Sequence, residues 1–387
     1  IRALGTTLGA DNGIGVAMIM AVLENKDLQH PNITALVTVN EETGLEGVKA
    51  LKSENIHGSI LINLDGEEEG VFITSSAGGV TNTATFPVVY KESGANKQAF
   101  SVRLEGLLGG HSGVDINLNR GNAIQLMGRL LAGLKSSVSF ELAGITGGEK
   151  MNAIPCHCEA LLLVEEGENQ RFQKTVAGYQ NIFRAEYACS DPNITISVRE
   201  VGCGTQVLTE RSRDNLLSLM LLLPTGVETM STVIPNLVES SSNLGVIEHR
   251  GNSFALISGI RSSVRSRKAQ INEKIQHLCQ LAGASMELTA DYPEWEYANA
   301  SPIRDLMFNV YKEINGVEPR IGAIHGGLEC GFLQEKIGGL DMISIGPNIL
   351  GAHSTNETVS IASVGRVFSF LCSVLARINK NLNTNCR

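Results

Sequence analysis

Gly9-Ala10-Asp11-Asn12-Gly13-Ile14-Gly15-Val16-Ala17-Met18-Ile19-Met20-Ala21-Val22-Leu23 opens as a loop of glycine, aspartate and asparagine. It then runs apolar from Val16 to Leu23, the pattern of a buried helix. Two apolar runs of strand length follow, Ile33 to Val39 and Ile60 to Leu64. A helix and strands joined by short connections predict an α/β domain. The first run ends in Glu41-Glu42 and the second in Asp65. Ligands of open α/β sheets gather beyond the carboxyl ends of the strands, so these three carboxylates are expected at one sheet edge. After Gly78-Gly79 the pattern changes: Val80 to Val89 and Ala99 to Leu104 alternate as strands, and Asn122 to Leu134 has helical amphipathicity. The order returns with Asn243 to Ile247, Ser253 to Ile260 and the helix Lys268 to Ala282. Asp291-Tyr292-Pro293-Glu294-Trp295 reads as the link back, before a helix over Pro302 to Ile314 and a buried strand over Met342 to Ile345. The expected organisation is a domain of 1–78 with 291–387, interrupted by an α+β domain over 79–290.

The whole chain has 387 residues, 43% hydrophobic and 18% charged, which is enough to bury more than one core. A net charge of −9 gives no attraction for phosphate backbones or anionic lipid, so neither nucleic acid nor a membrane is an expected partner. Uncharged apolar runs such as Leu216 to Leu223 fall short of the roughly 18 to 20 residues a bilayer span requires. No membrane-spanning helix is expected. Eight cysteines in a chain this long suggest reduced thiols rather than a disulfide framework, and Cys156 and Cys158 lack the spacing of a zinc ribbon. The chain starts at Ile1 and reaches Asp11 with no element before it, so it reads as a fragment without its beginning.

The Gly9–Gly15 loop has the wrong glycine spacing for a dinucleotide site, and Asp11 would repel a pyrophosphate. An acid in such a loop suits a cation, or caps the following helix. Adjacent Glu41 and Glu42 repel each other unless they do different work, one binding a cation and the other moving a proton. Asp65 lies nearest the buried strand, whereas Glu67-Glu68-Glu69 reads as a solvated turn. Asp11, Glu42, Asp65 and His353 together offer hard oxygens and an imidazole, the donor set of a co-catalytic zinc or manganese pair in which one carboxylate bridges two ions.

Seven stretches, in this order, carry a resemblance: Leu8-Gly9-Ala10-Asp11-Asn12-Gly13-Ile14-Gly15, Asn40-Glu41-Glu42-Thr43-Gly44, Leu61-Ile62-Asn63-Leu64-Asp65-Gly66-Glu67-Glu68-Glu69-Gly70, Gly109-Gly110-His111-Ser112-Gly113, Asn152-Ala153-Ile154-Pro155, His325-Gly326-Gly327-Leu328-Glu329-Cys330-Gly331 and Ser344-Ile345-Gly346-Pro347. They resemble the bacterial aminoacyl-histidine dipeptidases, dinuclear zinc exopeptidases also called peptidase D or cytosol non-specific dipeptidases. The resemblance implies a zinc-exopeptidase-like α/β catalytic domain with a mixed sheet, interrupted by an inserted α+β lid. It implies cytoplasmic hydrolysis of Xaa-His and other dipeptides by a metal-bound hydroxide. By its motifs, Asp11 bridges two divalent ions, zinc with manganese or cobalt as alternatives; Glu42 and His353 complete one site and Asp65 belongs to the other. Glu41 matches the general base, His111 the lid residue that stabilises the oxyanion, and Arg261 the lid arginine that binds the substrate's terminal carboxylate. Asn152 corresponds to a polar lid contact, Gly326 and Gly327 to a loop whose backbone approaches substrate, and Glu329 to an acceptor for the free amine. A homodimer through the lid is implied as well, with His111 serving its own site or the partner's.

The family pattern also places a His-x-Asp motif before Asp11, and this chain has none there. The second metal site is therefore expected to be incomplete in this chain, and the chain inactive without an upstream segment. The alternative is a non-catalytic relative that binds peptide or assembles through its lid.

Overall fold

The computed structural model describes residues 1–202, 204 and 206–381. They form two compact units, Ile1–Ala77 with the chain from Pro293 onward, and Gly78–Tyr292.

In the first unit a four-stranded sheet has the order Ile60–Asn63, Asp341–Ser344, Val71–Ser76, Arg320–Ile324. Its outer pairs are parallel and its central contact antiparallel, so the sheet is mixed. The helix Pro302–Asn315 starts where the Ser301 hydroxyl accepts the Arg304 amide at 3.2 Å, with proline at its first position, and stops at Gly316 with φ 70°. It packs with the helix Ile361–Asn381 around Phe72, whose ring centroid lies 5.5 Å from Phe308 and 5.6 Å from Tyr311 and Phe370. Such edge and offset aromatic contacts add to simple area burial.

Three expectations need correction here. The helix Ala10–Glu24 sends Met18 and Val22 into this core, but Met20 and Leu23 stand 57% and 55% exposed, so it is buried along one side only. Ile33 to Val39 forms no strand: among the described residues no strand pairs with it, and Val37 and Val39 are exposed. An apolar run of strand length becomes a strand only where a neighbour satisfies its backbone. Finally, Ile361–Ile378 is long and apolar enough to cross a membrane, with a mean hydropathy of 1.6. A search for uncharged runs misses it because Arg366 and Arg377 interrupt it, each paired to a carboxylate, Glu69 and Glu313. Its apolar side, from Val367 through Phe370, Leu371 and Val374, belongs to the core around Phe72.

The second unit is built on a nine-stranded antiparallel sheet. Its long central strands, Val238–Arg250, Ser253–Ser262 and Gly78–Pro87, are neighbours. The helix Ala123–Lys135 is capped by Asn122, whose side chain accepts the Ile124 and Gln125 amides, and it buries Ile124, Met127, Leu130, Leu131 and Leu134.

Candidate metal centre and associated residues

Asp11 sits where the loop after Gly9 enters the first helix. Gly9 has φ 72°, Asp11 and Asn12 depart from helical geometry, and the peptide between them is cis. Glu42 lies in a turn closed by Gly44 N–H and Leu45 N–H donating to the Glu41 carbonyl at 3.2 and 2.9 Å. The acidic pair is thus carried by a turn and not by a strand end, because the run before it is not paired. His353 comes from the loop between two short antiparallel strands, Ile349–Leu350 and Thr358–Val359, and its backbone is left-handed with φ 61°. A non-glycine residue pays for that conformation, and such positions cluster where a side chain must be aimed.

The ligand atoms of these three residues converge. His353 Nε2 lies 3.1 Å from Asp11 Oδ2 and 3.0 Å from Glu42 Oε2, and all three atoms fall within 4.8 Å of one another. Ligands 2.0–2.1 Å from a tetrahedral zinc stand roughly 3.3 Å apart, so the spacing and the two-oxygen, one-nitrogen donor set both fit a divalent cation. The Asp11 side chain is 13% exposed, whereas Glu42 and His353 are 49% and 63% exposed, which leaves an open face for water and substrate.

Asp65 follows its strand directly and accepts a hydrogen bond from Asn12 Nδ2 at 2.9 Å. It is not one of the three converging ligands, yet it feels the same charge. Burial, then Asp11, Glu41 and Glu329, push its carboxyl up to about 8. Burial, then Glu42, Glu329 and Asp11, push Glu41 up to about 7. Glu329 begins the helix Glu329–Ile337 and is fixed by the Thr38 hydroxyl at 2.7 Å; burial raises its carboxyl too. A cation placed among these acids reverses the sign of the field that raises them. Gly326 and Gly327 are half-buried in the loop before that helix. The Glu67–Glu69 run is more than a solvated turn: Glu68 pairs with Arg320, and Glu69 with Arg366 at 2.6 Å. Sequence reading passed over Asn12, Thr38 and Glu357. Glu357 accepts backbone N–H groups in the loop that carries Asp11.

In the second unit His111 lies in a two-residue strand paired with Ala153–Ile154, and the Ser112 amide donates to the Asn152 carbonyl at 2.8 Å. The Asn152 loop is held in turn by Asn243, whose side-chain amide donates to the Met151 and Ala153 carbonyls at 2.9 and 2.8 Å. His111 Nδ1 accepts the Gly113 and Val114 amides at 3.3 and 3.2 Å. Backbone amides can only donate, so the proton of the neutral ring is on Nε2. Burial and the Arg261 charge lower the imidazole's pKa, and Asp115 opposes them. Arg261 stands on the strand Ser253–Ser262 and donates to the Tyr292 hydroxyl at 3.0 Å. Gly79 makes room for that tyrosine: a Cβ there would come within 2.4 Å of its hydroxyl oxygen.

Three side chains with the donor set of a cation site, open to solvent and with a further carboxylate in their field, stand on a unit with a mixed α/β sheet, an arrangement that fits the class of metal-dependent hydrolases. Comparison with known proteins then fixes the family. The peptidase dimerisation domain of the M20 peptidases matches residues 102–189. The chain is 36% identical over 378 residues to the cytosol non-specific dipeptidase of Escherichia coli K12, covering 98% of this chain and 78% of that protein. It superposes on the aminoacylhistidine dipeptidase of Vibrio alginolyticus with a TM-score of 0.92 at 34% identity, over 97% of this chain and 76% of that one. The chain belongs to the cytosol non-specific, or aminoacyl-histidine, dipeptidase family of M20 metallopeptidases, a family of enzymes.

Proposed function

We propose that this protein hydrolyses dipeptides with a free carboxyl terminus, Xaa-His among them, in the cytoplasm, with one divalent metal ion held by Asp11, Glu42 and His353 and a second at a site that this chain supplies only in part. The convergence of Asp11, Glu42 and His353 on one point carries the reading. Its support is the family relationship along nearly the whole chain. The same donor set favours an enzyme over a relative that only binds peptide, because Glu41, a candidate base, shares the field of Asp11 and Glu42.

Asp11, Glu42 and His353 would hold one ion, and Asp65 would contribute to the site of the other. A divalent ion bound there would supply Lewis-acid polarisation of a carbonyl and lower the pKa of a bound water toward neutrality. Glu41 takes the proton of the attacking water and delivers it to the leaving amine as the C–N bond breaks. The neutral His111 ring donates from Nε2 to the oxygen that gains charge. Arg261 receives the terminal carboxylate, Glu329 the free amine, and Asn152 and the Gly326-Gly327 backbone flank the peptide. The Gly78–Tyr292 unit acts as the lid and as the homodimer surface, a role in line with its match to a dimerisation domain.

The test is histidine release from an Xaa-His dipeptide by protein loaded in turn with zinc, manganese and cobalt, beside Glu41→Gln. The variant should keep its metal content and lose about 10²- to 10⁴-fold in kcat. No turnover by the whole natural protein with any of the three metals would refute the dipeptidase reading. Near-normal turnover by Glu41→Gln would remove the base from Glu41.

A further inference from the structure

Glu357 is four residues beyond His353, only 2% exposed, and has no role in the mechanism above. One of its oxygens accepts the Leu8 and Gly9 amides at 2.6 and 2.8 Å, and the other accepts the Ala10 and Asp11 amides at 2.8 and 3.1 Å. Four consecutive N–H groups are thereby satisfied by a single side chain, that of Leu8 just before the helix and those of Gly9, Ala10 and Asp11, which the helix start leaves without partners. The last of them belongs to the residue whose carboxylate faces His353. The loop carrying Glu357 is anchored at both ends by the short strands Ile349–Leu350 and Thr358–Val359, and the Glu357 amide donates to the Ser354 carbonyl at 3.2 Å. Thr358 also bridges to Arg2, and the Val359 amide donates to the Ile1 carbonyl at 3.1 Å. One loop therefore presents a ligand, His353, and grips the backbone of another, Asp11, that is 342 positions away in sequence.

We infer that Glu357 is a positioning residue that sets the Asp11 carboxylate against Glu42 and His353, so that metal affinity and ligand geometry depend on a side chain that does not touch the ion. The inference rests on the metal site proposed above. Both oxygens must accept, so glutamine, isosteric but with one donor end, turns an NH2 group toward two N–H groups and cannot hold all four amides. Groups that orient metal ligands in this way commonly change affinity by 10- to 100-fold when removed.

The experiment measures cobalt(II) and zinc binding by calorimetry, together with the cobalt d–d absorption spectrum, on wild type, Glu357→Gln, Glu357→Asp and Val374→Ala. The last of these removes a fully buried core side chain in the same unit and controls for loss of stability. Glu357→Gln should bind cobalt roughly 10- to 100-fold more weakly with a shifted spectrum. At saturating metal its kcat should fall while KM stays within a fewfold. Val374→Ala should melt earlier yet bind and absorb as wild type does. If Glu357→Gln does not fold, Glu357→Asp, which keeps both acceptors on a shorter arm, carries the test with the same spectral shift expected. A folded variant with wild-type affinity and spectrum overturns the inference while leaving the metal site intact. Failure of the wild type to bind either metal overturns both.

Discussion

Replacing His111 by asparagine separates two tasks that alanine would confound. The ring accepts two backbone amides through Nδ1, at 3.3 Å from Gly113 and 3.2 Å from Val114, and this leaves Nε2 as the only donor of the neutral side chain. Asparagine Oδ1 occupies nearly the position of histidine Nδ1, so His111→Asn keeps the acceptor for the turn and removes the donor beyond it. These bonds are long, worth at most about 1 kcal/mol each, so His111→Ala should cost about 1–2 kcal/mol in stability while the asparagine variant melts close to wild type. Loss of one preorganised oxyanion donor costs about 2.7–4 kcal/mol in the transition state, so both variants should lose roughly 10²- to 10³-fold in kcat. KM should stay within a fewfold, because the donor meets charge that exists only during reaction. The expectation is the same whether His111 serves its own chain or a partner. Steady-state hydrolysis of a dipeptide and thermal melts of the two variants provide the check. An asparagine variant that turns over within twofold of wild type would refute the donor role, and one as unstable as alanine would refute the account of the turn.

Two further outcomes are expected. Arg261→Ala should raise KM for dipeptides roughly 10- to 100-fold with a smaller effect on kcat. Tyr292→Phe, which removes only the hydroxyl that Arg261 holds at 3.0 Å, should have a milder effect of the same kind; equal KM for wild type and Arg261→Ala would move the carboxylate site elsewhere. Burial disfavours the Glu141 carboxylate, but hydrogen bonds from Lys91, Lys97 and Ser93 outweigh that and hold its pKa down at about 2. A depressed carboxyl stabilises the fold above its unfolded pKa of 4.5 and loses that contribution as the pH falls through about 2. Allowing for the 41% exposure of Lys91, the contribution is about 2 kcal/mol. In denaturant titrations the stability gap between wild type and Glu141→Gln should be near that size at pH 6 and close toward pH 2; a gap constant across the range would show that the ion pairs do not supply it.

What could be read from the chain follows the range over which each signal acts. Strands such as Gly78–Pro87 and Lys97–Glu105, and the helix capped by Asn122, are encoded by local alternation or amphipathicity, and they lie where periodicity puts them. Ile33 to Val39 has the same local signal, but strand formation depends on a neighbour, which no local pattern reports. That is also why Glu41-Glu42 sits in a turn although an acid pair after an apolar run suggested a strand end. Asp11, Glu42, Asp65 and His353 stand out as candidate ligands because the donors a cation takes are particular residue types, and the fold brings Asp11, Glu42 and His353 together. The groups that aim them leave far less. Glu357 is received by four backbone amides, and an amide is the same whatever residue bears it, so nothing at residues 8–11 announces the partner. The proton on His111 is likewise fixed by the amides of Gly113 and Val114. Chemistry that uses side chains is legible as composition and motif. Chemistry that uses the backbone to orient those side chains becomes visible only once the fold has brought distant segments together, and in this protein it decides where the Asp11 carboxylate points and which nitrogen of His111 can donate.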